Sequence, residues 1–234
     1  MTRLLVSVKS LDEARIALEC GADIIDFKDP ANGALGALPS DTVREAVQWV
    51  NRRCPVSATL GDLPMEPATL VQAVKKAAAG VDFVKVGFFP HGDSRACIHA
   101  LARHARRVGL VAVLFADCNP DFSLVEDLAQ AGFAGVMLDT ADKTQGGLRR
   151  HWDDAGLRHF VKRAQRLSLI TGLAGSLQLE DVPDLIKLGP DYLGFRGALC
   201  AGTERSRGLQ ASRVSVLRHA IPRLSADSSM AAIR

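Results

Sequence analysis

Lys85 stands in the middle of Val81-Asp-Phe-Val-Lys-Val-Gly-Phe-Phe89, a run that otherwise reads as a buried strand. Lys28 ends a second such run, Asp23-Ile-Ile-Asp-Phe-Lys28. An ammonium group among Val, Ile and Phe is costly to desolvate unless it is paired or gives up its proton more readily. A lysine of the second kind serves as an amine nucleophile or a proton carrier. The chain has 8 lysines against 21 arginines, so its basic surface is made mostly without lysine, and finding two of the few at strand positions points to chemistry. The plainer readings are that Lys28 reaches solvent and pairs with Asp26 or Asp29, and that Lys85 belongs to a structural ion pair.

The elements that must position these lysines alternate along the whole chain. Short β-branched runs cover 3–8, 23–27, 55–60, 82–87, 109–115, 135–138, 168–173 and 191–195. Helix-like segments lie near 11–20, 40–52, 67–79, 94–107, 122–131, 153–166, 177–188 and 210–220. Ser10-Leu-Asp-Glu13 reads as a capping box, and Pro39-Ser40-Asp41 and Asp121-Phe122-Ser123 as further helix starts. Gly21-Ala-Asp-Ile-Ile, Gly80-Val-Asp-Phe-Val and Gly189-Pro-Asp-Tyr-Leu repeat one helix-to-strand joint. Alternation with nearly continuous apolar strands indicates a parallel sheet covered by helices. Eight units in 234 residues predict a single α/β domain, a closed (β/α)8 TIM barrel over 1–222, followed by a flexible tail over 223–234.

Barrel sites lie at the carboxyl ends of the strands. With period-two alternation, Asp26 and Lys28 share a face with Ile24, and Lys85 shares one with Phe83 and Gly87. If the wholly apolar faces meet the helices, both lysines point into the barrel mouth, where neighbouring cations promote loss of a proton. The sixth run ends at Asp139, with Lys143 in a Gly-containing loop able to form a lid. The seventh and eighth runs lead into Gly175-Ser176 and Arg196-Gly197, where barrels of this kind cradle phosphate. The amides beside glycine, the Ser176 hydroxyl and the Arg196 fork are suitable donors. The plainer readings are a surface Lys143, a turn-capping Asp139 and a simple helix cap at Gly175-Ser176.

Composition narrows the field. Aromatic residues are 5% of the chain and the net charge is +3, a poor match to a nucleic-acid groove. No apolar run is long enough to span a bilayer, and the first nine residues are too short for a signal sequence. Cysteines at 20, 54, 97, 118 and 200 are scattered and odd in number, which fits reduced thiols in a cytoplasmic protein. The histidines lack metal-ligand spacing, and neither a nucleophile elbow nor a P-loop is present. The expected partner is a small-molecule substrate, with neither nucleic acid nor membrane. Association into a homo-oligomer stays open.

Asp26-Phe-Lys28-Asp-Pro-Ala-Asn-Gly33-Ala-Leu-Gly36-Ala resembles the D-x-K-[ND]-P-x-x-G-[SA]-L-G-A signature of the (5-formylfuran-3-yl)methyl phosphate synthases, also called 4-(hydroxymethyl)-2-furancarboxaldehyde-phosphate synthases. The similarity continues through Val56-Ser-Ala-Thr-Leu-Gly-Asp-Leu-Pro64, Val84-Lys85-Val-Gly87, Met137-Leu-Asp139-Thr-Ala-x-Lys143, Leu173-Ala-Gly-Ser176 and Gly194-Phe-Arg196-Gly-Ala-Leu-Cys200, covering about residues 4–215 in order. Asp29 stands where Asn is common, Ala34 where Ser is common, and the loop over 141–150 departs around Asp142 and Gln145. The resemblance implies a TIM-barrel lyase that condenses two glyceraldehyde 3-phosphate molecules, with loss of water and phosphate, into the furan precursor of methanofuran or its methylotroph counterpart. It implies a Schiff base on Lys28, proton transfer by Lys85, active-site positions at Asp26, Asp139 and Lys143, and neither cofactor nor metal. Two alternatives stand beside it: a lysine aldolase of another phosphorylated sugar, and a non-catalytic barrel that binds a phosphometabolite.

Overall fold

Strands buried on both faces need β-branched and aliphatic side chains on each, and the eight runs of that kind become β1 (Arg3–Val8), β2 (Ile24–Phe27), β3 (Val56–Thr59), β4 (Phe83–Phe88), β5 (Gly109–Phe115), β6 (Gly135–Asp139), β7 (Ile170–Leu173) and β8 (Tyr192–Phe195). Every neighbouring pair is parallel, and β8 returns to β1 to close the barrel. The computed structural model describes residues 1–77 and 80–221; the tail expected over 223–234 lies outside the described residues. The helices are α1 (Leu11–Glu19), α2 (Ser40–Val50), α3 (Pro67–Ala77), α4 (Ser94–Ala105), α5 (Leu124–Gln130), α6 (Leu148–His151), α7 (Asp154–Arg166), α8 (Val182–Lys187) and α9 (Ala211–Ala220).

Strand alternation sorts the side chains into two apolar bodies. Ile25 and Phe27 of β2 and Val84, Val86 and Phe88 of β4 face outward and pack with the helices. Leu5, Ile24, Val111, Val113, Met137 and Tyr192 fill the barrel interior instead. At Gly172 a Cβ would come 2.2 Å from the Tyr192 ring, so only glycine lets that ring cross the interior. Its hydroxyl reaches the Met137 sulfur at 3.4 Å.

The repeated joint has a tethering role. Gly21, Gly80 and Gly189 take positive φ values, which glycine adopts at little cost, and Gly21 and Gly189 follow the ends of α1 and α8. The aspartates that follow accept bonds from the opening amides of the strand before: Asp23 from Leu4 at 2.8 Å, Asp82 from Val56 at 2.8 Å, Asp191 from Thr171 at 2.7 Å. One joint thus ends a helix and fixes the neighbouring strand.

Three helical expectations change. Ser10 caps α1 by accepting from the Glu13 amide at 3.2 Å, but the Glu13 carboxylate turns to the Lys9 amide, at 2.8 Å, and to Arg196. The capping box is therefore half formed. The segment expected over 177–188 divides into a single 3-10 turn, Leu179–Asp181, and the short α8. The four-residue α6 was not expected, since so short a turn carries no periodicity.

Candidate active site at the mouth of the barrel

The carboxyl ends of the strands surround a cavity of about 360 Å³ whose walls include Asp26, Lys28, Lys85, Asp139, Lys143, Ser176, Arg196 and Arg205. A cavity this size suits a small ligand. Its floor is the interior apolar cluster, and one side is covered by the loop after β2. There Asp62 accepts the amides of Ala34 and Leu35, each at 2.7 Å, and folds Leu35 into the barrel. Leu35 lies so near β4 that a Cβ on Gly87 would approach its side chain to 2.8 Å.

Asp26 and Lys85 form the deeper pair. The Lys85 ammonium is 3.0 Å from Asp26 Oδ1, and both side chains are almost wholly removed from solvent. Ser57 donates to Oδ1 at 2.6 Å and Ser7 to Oδ2 at 2.9 Å, so the carboxylate is held at both oxygens. Burial pushes the Asp26 carboxyl up, but Lys85, the Ser57 hydroxyl and Lys28 outweigh it and hold the group below the usual carboxylate range. Burial lowers the pKa of Lys85; Asp26 opposes the shift and the Lys28 charge adds to it. The ring of Tyr192 lies 5.9 Å from the same ammonium.

Asp139 anchors the shallower group. It accepts the Thr140 amide at 2.7 Å, pairs with Lys143 through Oδ1, and faces the Lys28 ammonium at 3.5 Å through Oδ2. Burial works against its charge, yet Lys143 and Lys28 hold its carboxyl well below the ordinary range. Lys143 also bonds Thr140 through both carbonyl and hydroxyl, so it folds back on the strand end and is mostly buried. Desolvation lowers its pKa, with Asp139 opposing and Lys28 reinforcing. Asp117, after β5, accepts the amides of Ala141 and Asp142 at 2.8 and 2.7 Å and so fixes the loop that carries Lys143. All five residues expected in the mouth from strand parity and resemblance therefore meet there.

The residues expected to cradle phosphate are placed differently in part. Gly175, at φ 104, lies so close to Thr140 that a Cβ would come to 3.0 Å. Its carbonyl accepts the Leu148 amide at 2.9 Å. Ser176, at φ 48, is exposed on the cavity rim. The amides of Gly175, Ser176 and Gly197 donate to no acceptor among the described residues. Arg196 corrects the sequence expectation. Its guanidinium bonds Arg205 O at 2.8 Å, Ser7 O at 3.2 Å, Arg207 O at 2.9 Å and both oxygens of Glu13. With all five N–H groups engaged, it has no fork left for a phosphate. The Arg205 guanidinium, whose only hydrogen bond among the described residues runs to Gly33 O at 3.0 Å, is the one available at the rim.

Sequence reasoning also passed over Ser7 and Ser57. Both sit at inward positions of apolar strands, so the parity that found the lysines would have found them. Asp62 and Asp117 carried no such signal, because each acts on a loop distant in sequence.

Comparison with known proteins adds an independent line. A family model described as 4-HFC-P synthase matches residues 4–218. A protein of Methylorubrum extorquens is 44% identical over 214 residues, covering 91% of this chain and 89% of its own. The (5-formylfuran-3-yl)methyl phosphate synthase of Methanopyrus kandleri is 39% identical, covering 88% and 92%. Among solved structures, a 3-hexulose-6-phosphate synthase aligns with TM-score 0.67 at 20% identity, covering 94% of this chain and 100% of its own. The phosphoribosyl anthranilate isomerase of Thermococcus kodakaraensis aligns with TM-score 0.66 at 19% identity, covering 94% and 98%. At those identities the structures speak for the fold alone. No helix among the described residues is long and apolar enough to cross a membrane.

Proposed function

This chain belongs to the 4-HFC-P synthase family and is an enzyme; we propose that it condenses two molecules of glyceraldehyde 3-phosphate into (5-formylfuran-3-yl)methyl phosphate, releasing phosphate and water, as a step toward methanofuran-type cofactors. The observation that carries this reading is the convergence of Lys28, Lys85 and Lys143 with Asp26 and Asp139 on one cavity at the mouth of the barrel.

In this reading the unprotonated amine of Lys28 adds to a triose carbonyl, and loss of water gives a protonated imine that acts as an electron sink. Lys28 suits the role because its contact with Asp139, at 3.5 Å, is looser than that of Lys85 with Asp26, at 3.0 Å. Lys85, held against its carboxylate and inclined by burial to lose its proton, takes the proton from the carbon beside the imine. The resulting enamine attacks the aldehyde carbon of the second triose. Asp139 and Lys143, paired at the shallower level, stand where departing hydroxyl groups need protonation. Leu35 and the apolar floor restrict water around the imine. For the phosphates, the amides of Gly175, Ser176 and Gly197 with the Ser176 hydroxyl offer one anion site, and Lys143 with Arg205 the other.

Borohydride reduction in the presence of glyceraldehyde 3-phosphate, followed by peptide mass spectrometry, should place the adduct on Lys28, and Lys28→Met should abolish it. The same incubation without reductant should release phosphate and develop the absorbance of a conjugated furan aldehyde. An adduct without furan would instead favour a lysine aldolase, and phosphate-ester binding without an adduct would favour a non-catalytic barrel.

A further inference from the structure

We propose that Arg196 is a positioning residue: with Glu13 it builds the loop after β8 and thereby presents Arg205 as the guanidinium that grips a phosphate ester in the cavity. The inference rests on the reading that this cavity takes phosphate esters.

The loop between β8 and α9 has little regular backbone to hold it. It contains two 3-10 turns, Gly197–Leu199 and Ala201–Thr203, and a single bridge between Cys200 and Leu209. Gly202 and Thr203 both take positive φ values, 63 and 60. Between that turn and the bridge, the chain gains its anchorage from cations beneath it. Arg196 takes the carbonyls of Arg205 and Arg207, and the Lys9 ammonium takes that of Ser206. Glu13, reaching up from α1, holds the guanidinium at two points and also accepts the Lys9 amide. The Arg196–Glu13 pair is nearly closed to solvent, and such a pair holds its partners in one arrangement.

The two arginines are thus complementary. The Arg196 guanidinium has every N–H occupied by protein, whereas the Arg205 guanidinium makes one bond among the described residues, to Gly33 across the mouth. Glu204, the nearest acidic neighbour in the chain, is engaged with Arg207 at 2.8 Å and does not occupy Arg205. The Arg205–Gly33 bond also joins the loop after β8 to the loop that carries Leu35. A bound phosphate at Arg205 would therefore sit between the two loops that frame the mouth.

The test measures binding of glycerol 3-phosphate, which has no carbonyl and cannot form an imine, to the full chain by titration calorimetry. Arg205→Met should weaken binding at least about tenfold, the effect of losing a charged hydrogen-bond partner. Arg196→Lys should weaken it by a comparable factor, since a lysine cannot hold three carbonyls and a carboxylate at once. The double variant should bind no more weakly than Arg205→Met alone, because Arg196 acts through Arg205. Unchanged binding by either single variant would overturn the proposal, and so would a double variant that loses both factors multiplied. If Arg196→Lys does not fold, Glu13→Gln decides in its place: weaker binding that vanishes as an effect in the Arg205→Met background supports the role, and wild-type affinity ends it. Furan formation is measured separately. A wild-type chain that makes no furan but shows this binding pattern keeps the inference and loses the reaction. Furan formation with binding indifferent to Arg205 does the reverse.

Discussion

In the proposed reaction Asp26 is the residue on which the chemistry of the mouth turns, since its carboxylate opposes the loss of the Lys85 proton. Burial drives the Lys85 pKa down, and the Asp26 carboxylate is the main force opposing that fall. A rate that depends on unprotonated Lys85 should rise with pH across an apparent pKa below the ordinary lysine value of 10.5. In Asp26→Asn the opposing charge is gone while the burial stays, so the rising limb of the pH–rate profile should move to lower pH, even as the maximum rate falls. A limb that stays in place, or moves up, would mean that Lys85 is not the group titrating. Much of this site was legible in the sequence, because a lysine in an apolar strand has one face to choose and period two chooses it. The roles of Ser7 and Ser57 were less visible: serine is small enough to sit anywhere in a strand, and only its distance to Asp26 gives it meaning. Arg196 misled for the opposite reason. Its position in the chain suits a phosphate ligand, but its partners come from Glu13 and from a loop whose path no periodicity reveals.

The elements were legible wherever burial on both faces left a continuous apolar run, and β5 falls on the run that announced it. Where bonds rather than burial set the boundary, the sequence said less. The half-formed capping box at Ser10 and the turn before α8 both depend on where one carboxylate bonds. The Gly-x-Asp joints lie between these cases: their recurrence was plain, their purpose was not. Each aspartate satisfies an amide at the opening of the preceding strand, and the joint before β6 has Ala134 at the corresponding position. The joints are structural and lie at the opposite end of the strands from the mouth. Asp82→Ala leaves the Val56 amide without its acceptor; because Asp82 is exposed and the bond is only partly buried, water can stand in for the carboxylate and the loss should be about 1 kcal/mol, at the low end for a missing partner. Urea unfolding should register that loss while kcat stays within about twofold of wild type, less than the 1.4 kcal/mol that a tenfold change represents. A large fall in kcat with unchanged stability would place Asp82 in the site instead.

At the scale of the whole molecule, the apolar layer between sheet and helices and the charged mouth serve different ends. The outer core runs from Leu4 through Ile221 and contacts every strand, whereas the interior cluster is small and ends beneath the lysines. Hydrophobic burial in the outer layer is thus the main support of the fold, and in the proposed reaction the buried pair of Lys85 and Asp26 serves chemistry, not stability. Desolvating two charges offsets most of their attraction, so neutral groups of similar shape often hold a fold as well or better. Removing one partner has another outcome, since the remaining charge stays buried without compensation, at about 3–5 kcal/mol. Lys85→Met alone should accordingly lower stability, by leaving Asp26 with only Ser7 and Ser57 as close partners. In Lys85→Met/Asp26→Asn the asparagine can accept from one serine and donate to the other, and no charge of the pair remains. That double variant should unfold at a urea concentration no lower than wild type while making no furan. If it unfolds at a lower urea concentration than wild type, the pair supports the barrel directly, and the division between a supporting shell and a reactive mouth is wrong.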